Sequence, residues 1–129
     1  MATSAPIRNT AGCLIELKEE HLRVAVGPAL SDEVQECYHA FANECLTRTC
    51  NRVLIIGNAK FDAFSHLALR DVLRSMALAG VPAGFRLAVV ANTANLIAVY
   101  DTAVVEAGRL GIDAKRFMTE QDAARWLES

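Results

Sequence analysis

The sequence predicts an α/β fold with the element order β-β-α-β-α-β-α-β-α and a mostly parallel five-stranded sheet with helices packed on it. Residues 52–56 and 85–91 are apolar at consecutive positions, as in strands that are covered on both faces. Amphipathic segments of helical period separate these strands, and helical crossovers are the usual connection between parallel strands. Residues 13–17 and 22–26 are short apolar runs joined by a polar stretch, which predicts an antiparallel hairpin at the start of the sheet.

The first half of the chain contains the hairpin and one helix. Residues 1–11 are mostly small and polar and predict a flexible N-terminal tail. Gly27-Pro28 ends the second strand, and Ser31 can cap a helix because its hydroxyl can accept a hydrogen bond from a free N–H group. The apolar stripe of this helix consists of Leu30, Val34, Cys37, Phe41 and Cys45.

The second half alternates strands and helices. The helix that follows residues 52–57 ends at Gly80, and Pro82 prevents it from resuming. Its apolar stripe consists of Leu69, Val72, Leu73 and Met76. The remaining predicted elements are a strand over 85–91, a helix over 96–110, a strand over 115–118, and a helix that is capped by Thr119 and ends near Leu127.

Length and composition predict one globular domain over residues 12–129 of the 129-residue chain. Hydrophobic residues make up 53% and charged residues 22%, and the net charge is −2 with no run of Lys and Arg, which argues against nucleic-acid binding. The sequence contains no apolar segment of the roughly 18–20 residues that a membrane span needs. The N-terminal residues contain no apolar signal core, and we therefore expect a cytoplasmic protein.

The four cysteines (Cys13, Cys37, Cys45 and Cys50) are expected to be free thiols in a reducing compartment. Cys37 and Cys45 lie on the apolar stripe of the first helix, which predicts small buried side chains rather than redox groups. The sequence has no C-x-x-C pair and no Cys/His spacing typical of zinc sites. We therefore expect no metal and no cofactor.

The stretch from Arg52 to Met76 is the predicted centre of function, because a buried strand there delivers a loop to an edge of the sheet. Asp62, Ser65 and His66 lie close together in this loop and suggest a small hydrolase. A serine nucleophile, however, needs a base within hydrogen-bond reach and a third group to orient that base, and loop neighbours rarely provide this geometry. Helix capping by Ser65 or Asp62 explains the same residue types without catalysis.

Two aromatic residues and a lysine in the same loop suggest binding instead. Phe61 and Phe64 either fill the core or form an apolar patch for a protein partner or a lipid-like ligand. Lys60 lies beside a helix N-terminus, where free N–H groups could hold an anion. The loop has neither the glycines nor the lysine spacing of a nucleotide-binding loop.

The ordered set of elements resembles the STAS domain and the related SpoIIAA-like fold over residues 12–128. The matching features are the opening hairpin, the helix after GPALSD (residues 27–32), the strand RVLIIG (52–57) followed by Phe61-Asp62, and the ending AKRFMTEQDAARWL (114–127). This resemblance implies a non-enzymatic domain that binds a protein partner or a small ligand.

The resemblance also bears on phosphorylation. Anti-sigma-factor antagonists of this fold carry Asp-Ser-Ser-Gly in the corresponding loop, and a partner kinase phosphorylates the second serine. When their aspartate is aligned with Asp62, the phosphorylated position falls on Phe64, so this chain lacks the usual switch. Only a shift of one residue would bring Ser65 into use as a phosphorylation site.

We therefore expect a regulatory binding module that acts through the loop 57–66 and the following helix, with a protein partner. A carrier that holds a small apolar ligand between the sheet and the helix of residues 69–76 is the alternative, and a small hydrolase is a third. A homodimer would be one way to protect the edge strands of such a sheet. The residues expected to bind are Asn58, Lys60, Phe61, Asp62, Phe64, Ser65 and His66.

Overall fold

The structure, a computed structural model, describes residues 5–10, 13–18, 21–26, 31–48, 50–57, 63–81 and 84–129. For residues 5–10, 13, 31–35 and 63–68 the description is limited to the backbone. The elements in these ranges are β1 (Ala5–Thr10), β2 (Cys13–Leu17), β3 (Leu22–Val26), α1 (Ser31–Arg48), β4 (Arg52–Ile56), α2 (Ala63–Ala79), β5 (Arg86–Val90), α3 (Ala94–Arg109), β6 (Asp113–Phe117) and α4 (Glu120–Glu128).

The strands form a single sheet in which their spatial order, β1-β2-β3-β4-β5-β6, is also their order along the chain. The pairs β1–β2 and β2–β3 are antiparallel. The pairs β3–β4, β4–β5 and β5–β6 are parallel. The predicted α/β class, the mostly parallel sheet and the element order from the hairpin onward are thus confirmed.

The sheet differs from the prediction at its first strand. Residues 1–11 were expected to be a flexible tail, whereas Ala5–Thr10 form β1 and make the sheet six-stranded. The β1–β2 register shifts between Pro6 and Arg8, and a proline is tolerated in such an edge strand because one side of the strand has no ladder partner. The residues of β1 do not alternate between apolar and polar, so the sequence carries no periodic pattern that predicts this strand. Its pairing with the main chain of β2 is visible only in the structure.

The sheet separates two apolar layers because successive side chains of a strand point to opposite faces. Val24, Ile55 and Val89 belong to the main core under α1, α2 and α3. Leu54 and Ala88 belong to a second cluster that includes residues of α4. β4 and β5 are therefore covered on both faces, which agrees with their uninterrupted apolar sequences.

The first three helices share one face because of the strand order. Each of the crossovers β3-α1-β4, β4-α2-β5 and β5-α3-β6 leads to the next strand in the same direction. Right-handed connections that all step in one direction place their helices on the same side of the sheet. α4 follows the last strand and packs on the opposite side, against β4, β5 and β6.

The start of α4 is capped as the sequence predicts, and its end is fastened to β5. Thr119 Oγ1 accepts a hydrogen bond from the backbone N–H of Asp122 at 3.2 Å. At the other end, Nη1 of Arg86 donates to the carbonyl oxygens of Trp126 and Ser129 at 3.0 and 2.8 Å. α4 is thereby fixed at both ends.

The cysteines only partly follow the prediction of free thiols. Cys45 and Cys50 are free, and burial raises the pKa of the Cys45 thiol, so this buried side chain stays protonated and inert. Cys37, which is also buried in the main core, is disulfide-bonded, and the prediction was wrong at this position. A buried thiol and a buried disulfide sulfur occupy the same apolar stripe, so the sequence pattern does not separate them.

Candidate functional site

The carboxyl ends of β3, β4, β5 and β6 form one edge of the sheet, and the chain leaves β4 at this edge through Gly57. In open α/β sheets a binding crevice forms where two neighbouring strands send their connections to opposite faces. β3, β4 and β5 are all followed by helices on one face, so no such point occurs between them. Among the described strands, only β5 and β6 are neighbours whose following helices lie on opposite faces.

Arg116 of β6 lies across this point between β5 and β6. Its Nε donates to Oδ1 of Asp101 in α3 at 2.6 Å, and its Nη1 donates to the carbonyl oxygen of Ala91 at 3.5 Å. The N–H of Ala91 in turn donates to the carbonyl oxygen of Phe117 at 3.0 Å, which continues the ladder past the end of β5. The position where a crevice would open is therefore bridged by a side chain and by main-chain pairing.

Gly57 begins the loop and is held in place by a close contact. Its N–H donates to the carbonyl oxygen of Val90 at 3.1 Å. A Cβ atom on this residue would lie 2.4 Å from Cε2 of Tyr100, whose side chain is fully buried. Only glycine lets the chain pass over this ring, so the aromatic side chain of α3 fixes the point where the loop leaves β4.

The Tyr100 ring is itself fixed by a second tyrosine. Its hydroxyl lies 3.3 Å from the hydroxyl of Tyr38 in α1, and either hydroxyl can be the donor. Burial raises the pKa of both phenols, and the neighbouring Tyr100 raises the pKa of Tyr38 further. The two side chains are therefore neutral phenols that join α1 to α3 beneath the start of the loop.

Four of the seven predicted binding residues lie outside the described residues, namely Asn58, Lys60, Phe61 and Asp62.

The backbone of α2 includes the other three predicted residues, which are Phe64, Ser65 and His66. Their side chains lie outside the description. The structure thus locates both ends of the predicted surface, while the roles of its side chains, including phosphorylation of Ser65, remain predictions.

The sequence did not single out the contacts that organise this edge. Tyr38 and Tyr100 are 62 residues apart, and Arg116 and Asp101 are 15 residues apart. One signal was available at Gly57, because a glycine directly after a buried strand often marks a close approach of the backbone to another group. Which group lies there is decided by the tertiary structure and cannot be read from the local sequence.

The described ranges contain neither a metal-binding cluster nor a membrane-spanning helix. No group of three or more His, Cys, Asp and Glu side chains there is arranged to hold a metal ion. None of the helices in those ranges has the length and apolar character needed to cross a membrane.

Comparison with known proteins does not identify a family. No match was found among protein-family models, curated proteins or solved structures. The resemblance to STAS and SpoIIAA-like domains therefore remains a prediction from the residues quoted above.

Proposed function

We propose that this protein is a non-enzymatic regulatory binding module of the STAS or SpoIIAA-like type, and that it recognises a protein partner through residues 57–66 and the following part of α2. The unbroken strand order carries this proposal. Among the described elements, the helices that follow β3, β4 and β5 lie on one face, so the strand order gives no point between these strands where connections part to opposite faces. An edge of this kind suits contact with a macromolecular surface better than enclosure of a small substrate.

The anchoring of the loop at both ends supports the same function. Gly57 fixes its start through the hydrogen bond to Val90 and the contact with Tyr100. The helix at its other end is anchored by Leu69 and Leu73, which are fully buried in the main core. A short segment between two fixed ends loses less conformational entropy on binding than a free segment would, so more of its contact energy appears as affinity.

The packing of α2 favours a surface site over the carrier alternative. Leu69, Leu73 and Met76, which were expected to line an apolar ligand site, are at most 1% exposed and belong to the same core as Ile55 and Val89. A ligand between the sheet and this helix would have to displace these side chains. Core side chains resist such displacement because interiors are close-packed.

Affinity capture with paired variants tests the proposal. Wild-type protein, the double variant Phe61→Ala/Phe64→Ala and the control Val105→Ala serve as baits in a lysate of the native host. Val105 is 57% exposed in α3, so the control removes an exposed apolar side chain from a helix outside the proposed surface. We expect one partner to bind the wild type and the control, and to bind the Phe double variant at least about tenfold less, as for loss of an interface hot spot.

The thermal stability of the Phe double variant decides how that result is read. A stability equal to that of the wild type, together with lost capture, supports a recognition surface. A large fall in stability shows that the two rings are core residues, and equal capture by all three baits refutes the proposal. Ser65→Asp in the same assay tests the phosphorylation site, since an unchanged partner set would remove that hypothesis.

A further inference from the structure

Two free cysteines, Cys45 and Cys50, are neighbours at the end of α1. Cys45 is fully buried in the main core, and the partly exposed Cys50 packs against the same core. The backbone N–H of Cys50 donates to the carbonyl oxygen of Cys45 at 3.0 Å. Since Cys50 is two residues before β4, the pair lies where the chain passes from the helix to the strand.

The hydrogen bond between the two residues limits their separation. Standard bond lengths on either side of an N–O distance of 3.0 Å allow at most about 7 Å between the two Cα atoms. Cα atoms that a disulfide joins are usually about 4.4–6.8 Å apart. A hydrogen bond to the carbonyl five residues earlier commonly closes a helix, and the two side chains concerned often pack against each other. The backbone separation is therefore compatible with a disulfide between Cys45 and Cys50.

The surroundings of the two thiols are unequal. Burial raises the pKa of the Cys45 thiol, and the neighbouring Cys50 and Glu44 raise it further. Cys45 therefore stays protonated and is inert toward reagents in the solvent. The Cys50 thiol donates a hydrogen bond to the carbonyl oxygen of Arg52 at 3.3 Å, and its residue is only partly buried. Cys50 is thus the member of the pair that a small reagent meets first.

We infer that Cys45 and Cys50 form an oxidisable dithiol, which closes to an intramolecular disulfide by exchange with a low-molecular-weight disulfide. This covalent modification site is independent of the proposed recognition surface. It lies at the amino end of β4, whereas Gly57 follows the carboxyl end of the same strand. The disulfide would join the end of α1 to the residues that lead into β4, in place of the thiol hydrogen bond to Arg52.

The exchange proceeds in two steps. The Cys50 thiolate attacks one sulfur of the reagent RSSR, the S–S bond breaks, and the leaving RS⁻ takes up the proton that Cys50 released. The Cys45 sulfur then attacks the Cys50 sulfur of the mixed disulfide, and the second RS⁻ leaves with the proton of Cys45. The two cysteines lose two hydrogens in all, and RSSR is reduced to two RSH. Cys37 cannot replace Cys45 in the second step because it is already disulfide-bonded.

Peptide mapping of the intact protein tests the pair. The folded protein is incubated with oxidised glutathione, free thiols are blocked with N-ethylmaleimide in denaturant, and tryptic peptides are analysed without reduction. Trypsin cleaves after Arg48 and Arg52, so Cys50 is released on the short peptide 49–52. We expect this peptide to stay attached to Cys45, with a mass about 2 Da below the sum of the two reduced peptides, and to be freed by dithiothreitol. Fragment ions distinguish attachment at Cys45 from attachment at Cys37.

The map of the wild type has clear contrary outcomes. Peptide 49–52 that carries only N-ethylmaleimide shows that the pair does not react, and this overturns the inference. A mixed disulfide with glutathione that persists at Cys50 overturns it as well, because Cys45 then fails to resolve it. Attachment of Cys50 to any other cysteine, or a link between two chains on a non-reducing gel, is equally contrary.

Two single variants separate the roles of the two thiols. Cys45→Ala should stop at the mixed disulfide and accumulate it at least about tenfold more than the wild type, in which a second thiol is held nearby at high effective concentration. Cys50→Ala retains only the buried thiol of the pair and should not react at residue 45. Equal amounts of mixed disulfide in Cys45→Ala and the wild type would overturn the role of Cys45. If Cys45→Ala fails to fold, the wild-type map decides the inference by itself.

Discussion

Replacing Gly57 with alanine tests whether Tyr100 determines where the binding loop begins. The new methyl group would lie 2.4 Å from Cε2 of the ring, whereas carbon atoms in contact are normally about 3.5–4.0 Å apart. The backbone or the ring must therefore move by about 1 Å or more. The ring has little freedom, since it is fully buried and its hydroxyl is bonded to Tyr38.

The size of the effect follows from two opposing contributions. Overpacking of a filled core costs about 1–3 kcal/mol. Replacement of glycine by alanine also removes conformational entropy from the unfolded chain, which by itself stabilises a protein by about 0.4–1 kcal/mol. We expect Gly57→Ala to lower the free energy of unfolding by about 1–2 kcal/mol, measured by urea denaturation with an unchanged m-value.

Gly108→Ala is the matched control for this measurement. Gly108 is exposed in α3, and a Cβ atom there would have no other atom within 4 Å. Both substitutions reduce the entropy of the unfolded chain, but only the one at residue 57 produces a clash. We expect Gly108→Ala to stabilise the protein by up to about 1 kcal/mol, as for glycine to alanine in a helix.

A double-mutant cycle with Tyr100→Leu identifies the ring as the cause. The loss of the hydroxyl contact to Tyr38 is common to both variants that contain Tyr100→Leu and cancels in the cycle. Gly57→Ala should then cost much less in the Tyr100→Leu background than in the wild type. An equal cost in both backgrounds, or no cost in either, would refute the argument that this ring fixes the loop.

Three further predictions concern buried and paired groups, each measured by urea denaturation. Tyr38→Phe should lower the free energy of unfolding by about 1–2 kcal/mol, because it leaves the buried Tyr100 hydroxyl without its hydrogen-bond partner at position 38. An unchanged free energy of unfolding would show that this contact does not stabilise the fold. Burial lowers the pKa of His21 below 6.5, so on acidification this imidazole is protonated in the unfolded chain at a higher pH than in the folded protein. The free energy of unfolding should therefore fall as the pH drops through 6.5, and it should fall less in His21→Asn. A hydrogen bond from Arg23 holds the pKa of Glu120 below 4.5, so the ionised carboxylate should stabilise the fold above pH 4.5 and this contribution should be lost as the pH falls below that value. The contribution should be less than about 1 kcal/mol because the pair is near the surface, and Glu120→Gln should lack this pH dependence.

The sequence predicted the buried strands well because their patterns have a direct physical cause. Val53 and Ile55 face the main core, and Leu54 faces the layer under α4, so consecutive positions must be apolar. β1 could not be predicted in this way. Its register is set by backbone pairing with β2, and its residues, such as Pro6 and Asn9, follow no apolar period.

The candidate site was predictable in position but not in its contacts. A buried strand, a glycine and an amphipathic helix locate the loop between Gly57 and α2 from the sequence alone. Which groups meet there depends on elements that are distant in the chain, as for Tyr38 and Tyr100.

The pKa shifts at the base of the loop define the role of two buried tyrosines, Tyr38 and Tyr100. A general acid or base works best with a pKa near the working pH, and enzymes use burial and neighbouring charges to bring it there. At Tyr38 and Tyr100, burial instead raises the pKa away from neutrality, so these hydroxyls keep their protons and serve as fixed contacts between α1 and α3. A loop that begins from such a fixed point would lose less entropy in the association proposed above. Tyr38 and Tyr100 are therefore structural contacts beneath Gly57 rather than acids or bases.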